Sequence, residues 1–307
     1  MIVALSGGIG GAKLALGLSR VLPAGALTVI ANVGDDFEHL GLAISPDIDT
    51  LTYTLAGLDN ADLGWGRRDE TWSFMDTLAA IGGETWFRLG DRDLALHVER
   101  TRRLARGETL SAITRDICRR LGASARILPV TDDAVRTRLK TSEGWMDFQP
   151  WFVGRRAEPA VSELVFAGAA AARPSPDVLA ALAEAEAIVI CPSNPFISIE
   201  PMLAVSGVEA TLRASRAPVV AVSPIIGGRA VKGPTAKMMG ELGMSSSARA
   251  VAERYDGLLN VYVADETDAG TLDGLGCRVV LAPTLMTTLT DKEALARVVL
   301  RAAAEAR

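Results

Sequence analysis

A chain of 307 residues, 49% of them hydrophobic, carries enough apolar side chain to bury a large core, which excludes a disordered chain. Its 37 acidic against 32 basic residues leave a formal charge of −5, so no overall positive field gathers nucleic acid or an anionic membrane, and an anionic ligand needs a local site. Cys118, Cys191 and Cys277 are odd in number, lack C-x-x-C spacing and sit in apolar stretches, as small hydrophobes do in a reducing compartment. No apolar run is long enough to cross a bilayer and Met1 to Ser6 lacks a secretory pattern, so a cytoplasmic enzyme with no membrane or nucleic-acid partner is expected.

Ile2 to Leu5 is an apolar run that meets the loop Ser6-Gly7-Gly8-Ile9-Gly10-Gly11-Ala12-Lys13, and Leu14, Leu18, Val21 and Leu22 follow at helical spacing. Leu27 to Val33 reads as a second strand closed by Gly34-Asp35-Asp36. The opening is therefore a βαβ unit whose ligand crevice belongs at the carboxyl ends of its strands. Helices are predicted at about 46–57, 71–81, 92–106 and 109–121, with Ser45-Pro46 opening the first. Extended runs follow at Arg126 to Val130 and Leu164 to Phe166, giving an inserted lobe of helical and extended segments at about 50–170. The β-rich runs Ala187 to Cys191, Val219 to Val222, Val261 to Ala264 and Arg278 to Leu281 then alternate with helical segments. The expected fold is one α/β domain over 1–307, a Rossmann-like parallel sheet carrying that insertion.

The glycine loop lets backbone N–H groups approach phosphate oxygens, and the helix behind it adds its positive end. Gly7, Gly8, Gly10, Gly11 and Lys13 are thus candidates for nucleotide or phosphate binding. Lys13 stands where a dinucleotide fingerprint requires a third small residue, and Ala12 and Leu14 break the Walker A pattern; a tight turn without a ligand is the plain alternative. Asp35, Asp36, Asp47 and Asp49 could hold Mg²⁺ or hydroxyl groups, the metal being expected on Asp35, Asp36 and Asp47. Asp47 and Asp49 project about 200° apart on a helix and need different roles, and favourable charge near a helix N-terminus is the plain alternative for Asp47. Arg88, Asp91, Arg92 and Asp93 pack four charges around Gly90, which suits a polar ligand or a solvated helix start. Asp93 and His97, one turn apart, make an incomplete metal site, so a structural hydrogen bond is expected there. With His39 the only other histidine and no H-E-x-x-H or Ser/His/Asp spacing, triad and hydrolytic metal chemistry are not expected. Ser193 and Asn194 after one strand, and Ser223, Gly227 and Gly228 after the next, add hydroxyl, amide and bare-backbone donors to the same sheet edge.

These segments together resemble the 2-phospho-L-lactate transferase family of coenzyme F-420 synthesis, called phosphoenolpyruvate transferases in some bacteria. The resemblance runs through Ser6-Gly7-Gly8 with Gly10, Asn32-Val33-Gly34-Asp35-Asp36, Ser45-Pro46-Asp47-Ile48-Asp49-Thr50, Trp65-Gly66 and Gly90-Asp91-Arg92-Asp93. It continues through Ile127-Leu128-Pro129, Asp132-Asp133, Pro192-Ser193-Asn194-Pro195, Ser223-Pro224-Ile225-Ile226-Gly227 and Leu285-Met286-Thr287. It implies transfer of a phosphorylated three-carbon acid from a guanosine diphosphate-linked donor to the deazaflavin Fo, with release of GMP, dependence on Mg²⁺ and a homodimer. It also implies that Asp49 and Arg88, with Asp91, contact Fo, and that guanosine lies by Ser193, Asn194, Ser223 and Gly227. Asp49 is the expected residue for orienting or deprotonating the attacking hydroxyl. From motifs alone, a nicotinamide-dependent dehydrogenase with Asp35 on ribose, or a nucleotide-binding regulatory protein without turnover, are the competing readings.

Overall fold

The computed structural model describes residues 1–60 and 65–307. Seven parallel strands form the central sheet, in the spatial order Arg278–Leu281, Val261–Ala264, Val219–Val222, Ala187–Ile190, Ile2–Ser6, Leu27–Ala31 and Arg126–Pro129. Five of these, Ile2–Ser6, Leu27–Ala31, Ala187–Ile190, Val219–Val222 and Val261–Ala264, are buried along their whole length. That explains runs rich in Val, Ile and Ala with no polar alternation, because helices cover both faces of a parallel sheet. Leu27–Ala31 and Ala187–Ile190 flank Ile2–Ser6 in register, Leu27 and Ala187 both opposite Ile2, so the two halves of the chain share one sheet.

The chain builds outward from Ile2–Ser6 in one direction, then returns at Ala187–Ile190 and builds outward in the other. The order reverses between these two strands, and a crevice opens at their carboxyl ends. Helix α1 (Gly8–Val21) starts there and packs against the C-terminal helix Leu289–Glu305, where Gly17 lies so close to the Lys292 carbonyl that a Cβ would overlap it.

Four more helices follow close to their predicted positions: α2 (Pro46–Leu55), α3 (Ser73–Ala80), α4 (Asp91–Leu104) and α5 (Leu110–Leu121). Helix α5 has the expected termini, with the Thr109 hydroxyl accepting from the Ala112 N–H and Gly122 closing in the left-handed region at φ 74°. Within the stretch expected as the insertion, Arg126–Pro129 pairs in parallel with Thr28–Ala31 and belongs to the central sheet. It separates the helices from an antiparallel sheet of Gly144–Asp147, Arg136–Thr141 and Val161–Ala167. Trp151, fully buried, donates its indole N–H to the Pro159 carbonyl and anchors that sheet to the main core. A smaller core of Ile44, Met75 and Leu89 gathers Phe37, Trp72 and Phe87 around the helical part.

Candidate active site

A cavity of about 640 Å³ opens at the point where the strand order reverses. One end is the glycine loop with Pro192, Ser193 and Asn194; the other is walled by Trp65, Trp86, Phe87, Phe148 and Phe152. The acids Asp35, Asp47, Asp49 and Asp93 line the same cavity.

At the first end, the Ser193 hydroxyl donates to the Gly7 carbonyl at 2.7 Å, tying together loops 186 residues apart. The Asn194 side chain accepts from the Phe196 N–H, and the segment Pro195–Ile199 forms a wide turn closed by the Glu200 N–H on the Pro195 carbonyl. A matching wide turn at Pro150–Gly154 carries Phe152 to the opposite wall. Such turns recur at functional sites because they re-aim side chains within a helical path. A Cβ on Gly7 would meet the Asp47 carboxylate at 2.5 Å, and one on Gly10 would overlap the Pro192 carbonyl. Both glycines are there for close approach. Gly11 instead packs against Ser6 and Ser193, below the cavity surface.

The acids divide by their partners. The Asp47 carboxylate accepts the Gly8 N–H at 2.6 Å and the Asn32 amide at 2.9 Å, and the same amide reaches Asp35 at 3.3 Å. Burial pushes Asp35 well above the usual carboxylate range, with Asp47 and then Asp36 adding like-charge repulsion. Burial also raises Asp47, to about 6, against the lowering effect of the bonds from Asn32 and Gly8. Asp36 is raised to about 7 by burial, although the Ser45 hydroxyl donates to it at 2.8 Å; its other oxygen has no partner among the described residues. Asp49 faces elsewhere, as the helical spacing requires. Buried Arg100 on α4 grips both of its oxygens, and His97 stands between Asp49, 3.7 Å from Nδ1, and Asp93, 3.2 Å from Nε2. The Tyr53 hydroxyl donates to the remaining Asp93 oxygen.

Two carboxylate sets could hold a cation. Asp49, Asp93 and His97 bring three ligand atoms within 4.8 Å of one another, but the Arg100 guanidinium already neutralises Asp49. Asp35 and Asp47 have no ion-pair partner among the described residues and offer only oxygen, the donor set of a hard dication. Asp93 and His97 approach to 3.2 Å, but His97 Nε2 has no hydrogen-bond partner among the described residues, so the expected bond between them is not formed; Asp49 on α2 joins them as a neighbour that sequence spacing did not show.

Of the other expected site residues, Arg88 lines the aromatic end with its guanidinium 3.9 Å from the Trp72 ring centroid. Asp91 does not face the cavity: its carboxylate accepts the Ser73 and Phe74 N–H groups and caps α3. Lys13 and Ser223 line a smaller adjoining recess of about 60 Å³ together with Lys232 and Thr284. Lys13 donates to the Met286 carbonyl, and burial with Lys232 nearby lowers its pKa. Gly227 and Gly228 lie outside both spaces in the turn between Ile225–Ile226 and Arg229–Ala230, where Gly227 donates to Asp268. Sequence reasoning missed Tyr53, Arg100 and the aromatic wall; their signal, scattered aromatics and a helical arginine, looks like ordinary core and surface.

The family model described as 2-phospho-L-lactate transferase CofD matches residues 2–285. The chain belongs to the CofD family. It is therefore a transferase of coenzyme F-420 biosynthesis. A phosphoenolpyruvate transferase of Streptomyces griseus subsp. griseus is 42% identical, the alignment covering 100% of this chain and 99% of that protein. One of Mycobacterium tuberculosis is 39% identical over 93% of each. A crystal structure of a upf0052 family member from Bacillus halodurans, 16% identical, superposes with a TM-score of 0.67 over 97% of this chain and 98% of that one, and shares the fold. In this CofD-family chain the cavity sits at the carboxyl edge of the sheet, where the strand order reverses.

Proposed function

We propose that this chain transfers a phosphorylated three-carbon acid from a guanosine diphosphate-linked donor to Fo, releasing GMP. The observation that carries the reading is one continuous cavity lined by the glycine loop, by aromatic walls and by acids. A flat deazaflavin suits the aromatic end, where Arg88 adds a cation, and a diphosphate suits backbone N–H groups at the start of α1. In that pose the ribityl terminal hydroxyl forms a bond to the phosphorus bearing the three-carbon acid, the phosphorus–oxygen bond to GMP breaks with its electron pair going to the GMP phosphate, and the hydroxyl proton is released to solvent. Asp49, already paired with Arg100, orients this hydroxyl. Asp35 and Asp47, with Asp36 behind them, would hold Mg²⁺, which when bound supplies positive charge to the phosphoryl oxygens and the departing GMP. Phosphoryl transfer needs chiefly such positioning and charge neutralisation.

The dehydrogenase reading fits less well, because Asp35 is buried against Asn32 and Asp47 rather than free for a ribose. The test is incubation of the purified protein with Fo, Mg²⁺ and guanosine diphosphate-linked 2-phospholactate, phosphoenolpyruvate or 3-phosphoglycerate, followed by mass spectrometry. A phosphodiester of Fo together with GMP is expected from at least one donor. Tight NAD binding with no GDP binding in calorimetry would remove the transferase reading. A homodimer, tested by sedimentation, is part of the same proposal.

A further inference from the structure

Arg100 is 2% exposed and does not line the cavity, yet it contacts the residue placed at the attacking hydroxyl. It projects from α4, two turns beyond Asp93, to the first turn of α2, and spends one nitrogen on each Asp49 oxygen. One of those nitrogens also lies 3.3 Å from the Ala43 carbonyl and 3.4 Å from His97 Nδ1. Each carboxylate oxygen has two acceptor sites, so a two-pronged grip leaves one on each oxygen for a ligand. A buried pair of this kind is seldom a net source of stability, since desolvation opposes the attraction, so its presence beside a ligand cavity asks for another reason.

We propose that Arg100 is a positioning residue for the transfer: from behind the cavity wall it fixes the Asp49 carboxylate in the one orientation that aligns the acceptor hydroxyl with phosphorus. The inference rests on the function proposed above. His97 and Asp93 brace the arrangement from the side, and Tyr53 closes it. A fork is needed rather than a charge, because a lysine ammonium would satisfy one oxygen and leave the carboxylate free to rotate.

The test is a double-mutant cycle on Asp49→Asn and Arg100→Gln, with Arg100→Lys as the charge-conserving variant, measuring kcat and KM for Fo and the affinity for GDP. Misplacement of a reacting group by about 1 Å costs on the order of 10²-fold, so Arg100→Lys is expected to lower kcat by about that factor while KM for Fo and GDP affinity stay close to those of the unmodified protein. The double variant is expected to be no slower than Asp49→Asn alone, because Arg100 has nothing left to position. Arg100→Gln strands a buried carboxylate and can fail to fold; the double variant removes both charges and Arg100→Lys keeps both, so the comparison survives. Full kcat in Arg100→Lys, or losses that multiply in the double variant, would overturn the inference. An unmodified protein without transfer activity sinks the proposed function and this inference with it, whereas an active one with multiplying losses sinks this inference alone.

Discussion

Asp49 and Arg88 lie at one cavity, but their partners give them different expected phenotypes. Asp49→Asn removes a group placed at the attacking hydroxyl and should lower kcat by roughly 10²–10⁴-fold with little change in GDP affinity by calorimetry. Arg88→Ala removes a cation stacked on Trp72 at the aromatic end and should chiefly raise KM for Fo, as the loss of a ground-state contact does. Near-normal turnover of Asp49→Asn at saturating Fo would reduce Asp49 to a binding residue. Asp36 gives a pH signature instead. Its carboxyl is raised from 3.8 to about 7, chiefly by burial, so between about pH 4 and pH 7 the folded chain holds a proton that the unfolded chain has released. Stability therefore falls as pH rises through that window and levels off above it, by as much as about 4 kcal/mol from this group. Asp47, raised to about 6, steepens the lower part of the window. In chelator, melting temperature should fall from pH 5 to pH 8, and fall less in Asp36→Asn. Added Mg²⁺ should raise it more at pH 8 than at pH 5, because protons and cation compete for the same oxygens. Equal Mg²⁺ effects at both values would argue against carboxylate ligation.

Two glycines on one helix separate stability from function at the scale of the element. Gly10, in the first turn of α1, faces the Pro192 carbonyl across the strand reversal; Gly17, two turns on, faces the Lys292 carbonyl of the C-terminal helix. Backbone cannot yield as a flexible side chain can, so alanine at either position should cost about 1–3 kcal/mol in denaturant unfolding. Only Gly10→Ala should also weaken GDP binding, since it forces the glycine loop away from Pro192. If Gly17→Ala lost GDP affinity as severely, the cradle would have to extend further along α1 than the lining residues indicate.

Across the whole molecule, what could be read in advance followed from local pattern. The strand runs Val219 to Val222, Val261 to Ala264 and Arg278 to Leu281 match the observed strands residue for residue; the first two are fully covered and need an unbroken apolar run between turns, while the third is a partly exposed edge strand that opens with Arg278. The two-residue spacing of Asp47 and Asp49 foretold their separate partners, and the glycine loop and the Ser193-Asn194 loop, expected at one sheet edge, line one cavity. What needed tertiary contacts was hidden: Arg100 approaches Asp49 only because the fold brings α4 to α2, and Phe148 and Phe152 reach the cavity from the turn after strand Gly144–Asp147, almost 100 residues after α2. Asp91 misled because a charge ahead of a helix caps α3 as readily as it meets a ligand. Arg126–Pro129 was legible as a strand, but not as a member of the central sheet, since pairing with Thr28–Ala31 depends on a partner almost 100 residues earlier.

The bond between Ser193 and Gly7 also sets a timetable. A ribosome adding about 5–20 residues per second delivers residue 193 on the order of ten seconds or more after residue 7, and Ile2–Ser6 stays without its Ala187–Ile190 neighbour for that interval. The unprotected flank of Ile2–Ser6 is then a hydrophobic strand edge awaiting a partner. Nucleotide can engage the nascent chain only after that edge has closed, so in pulse-labelled synthesis the first GDP-retained chains should be longer than about 200 residues, and GDP should protect completed molecules without rescuing shorter ones.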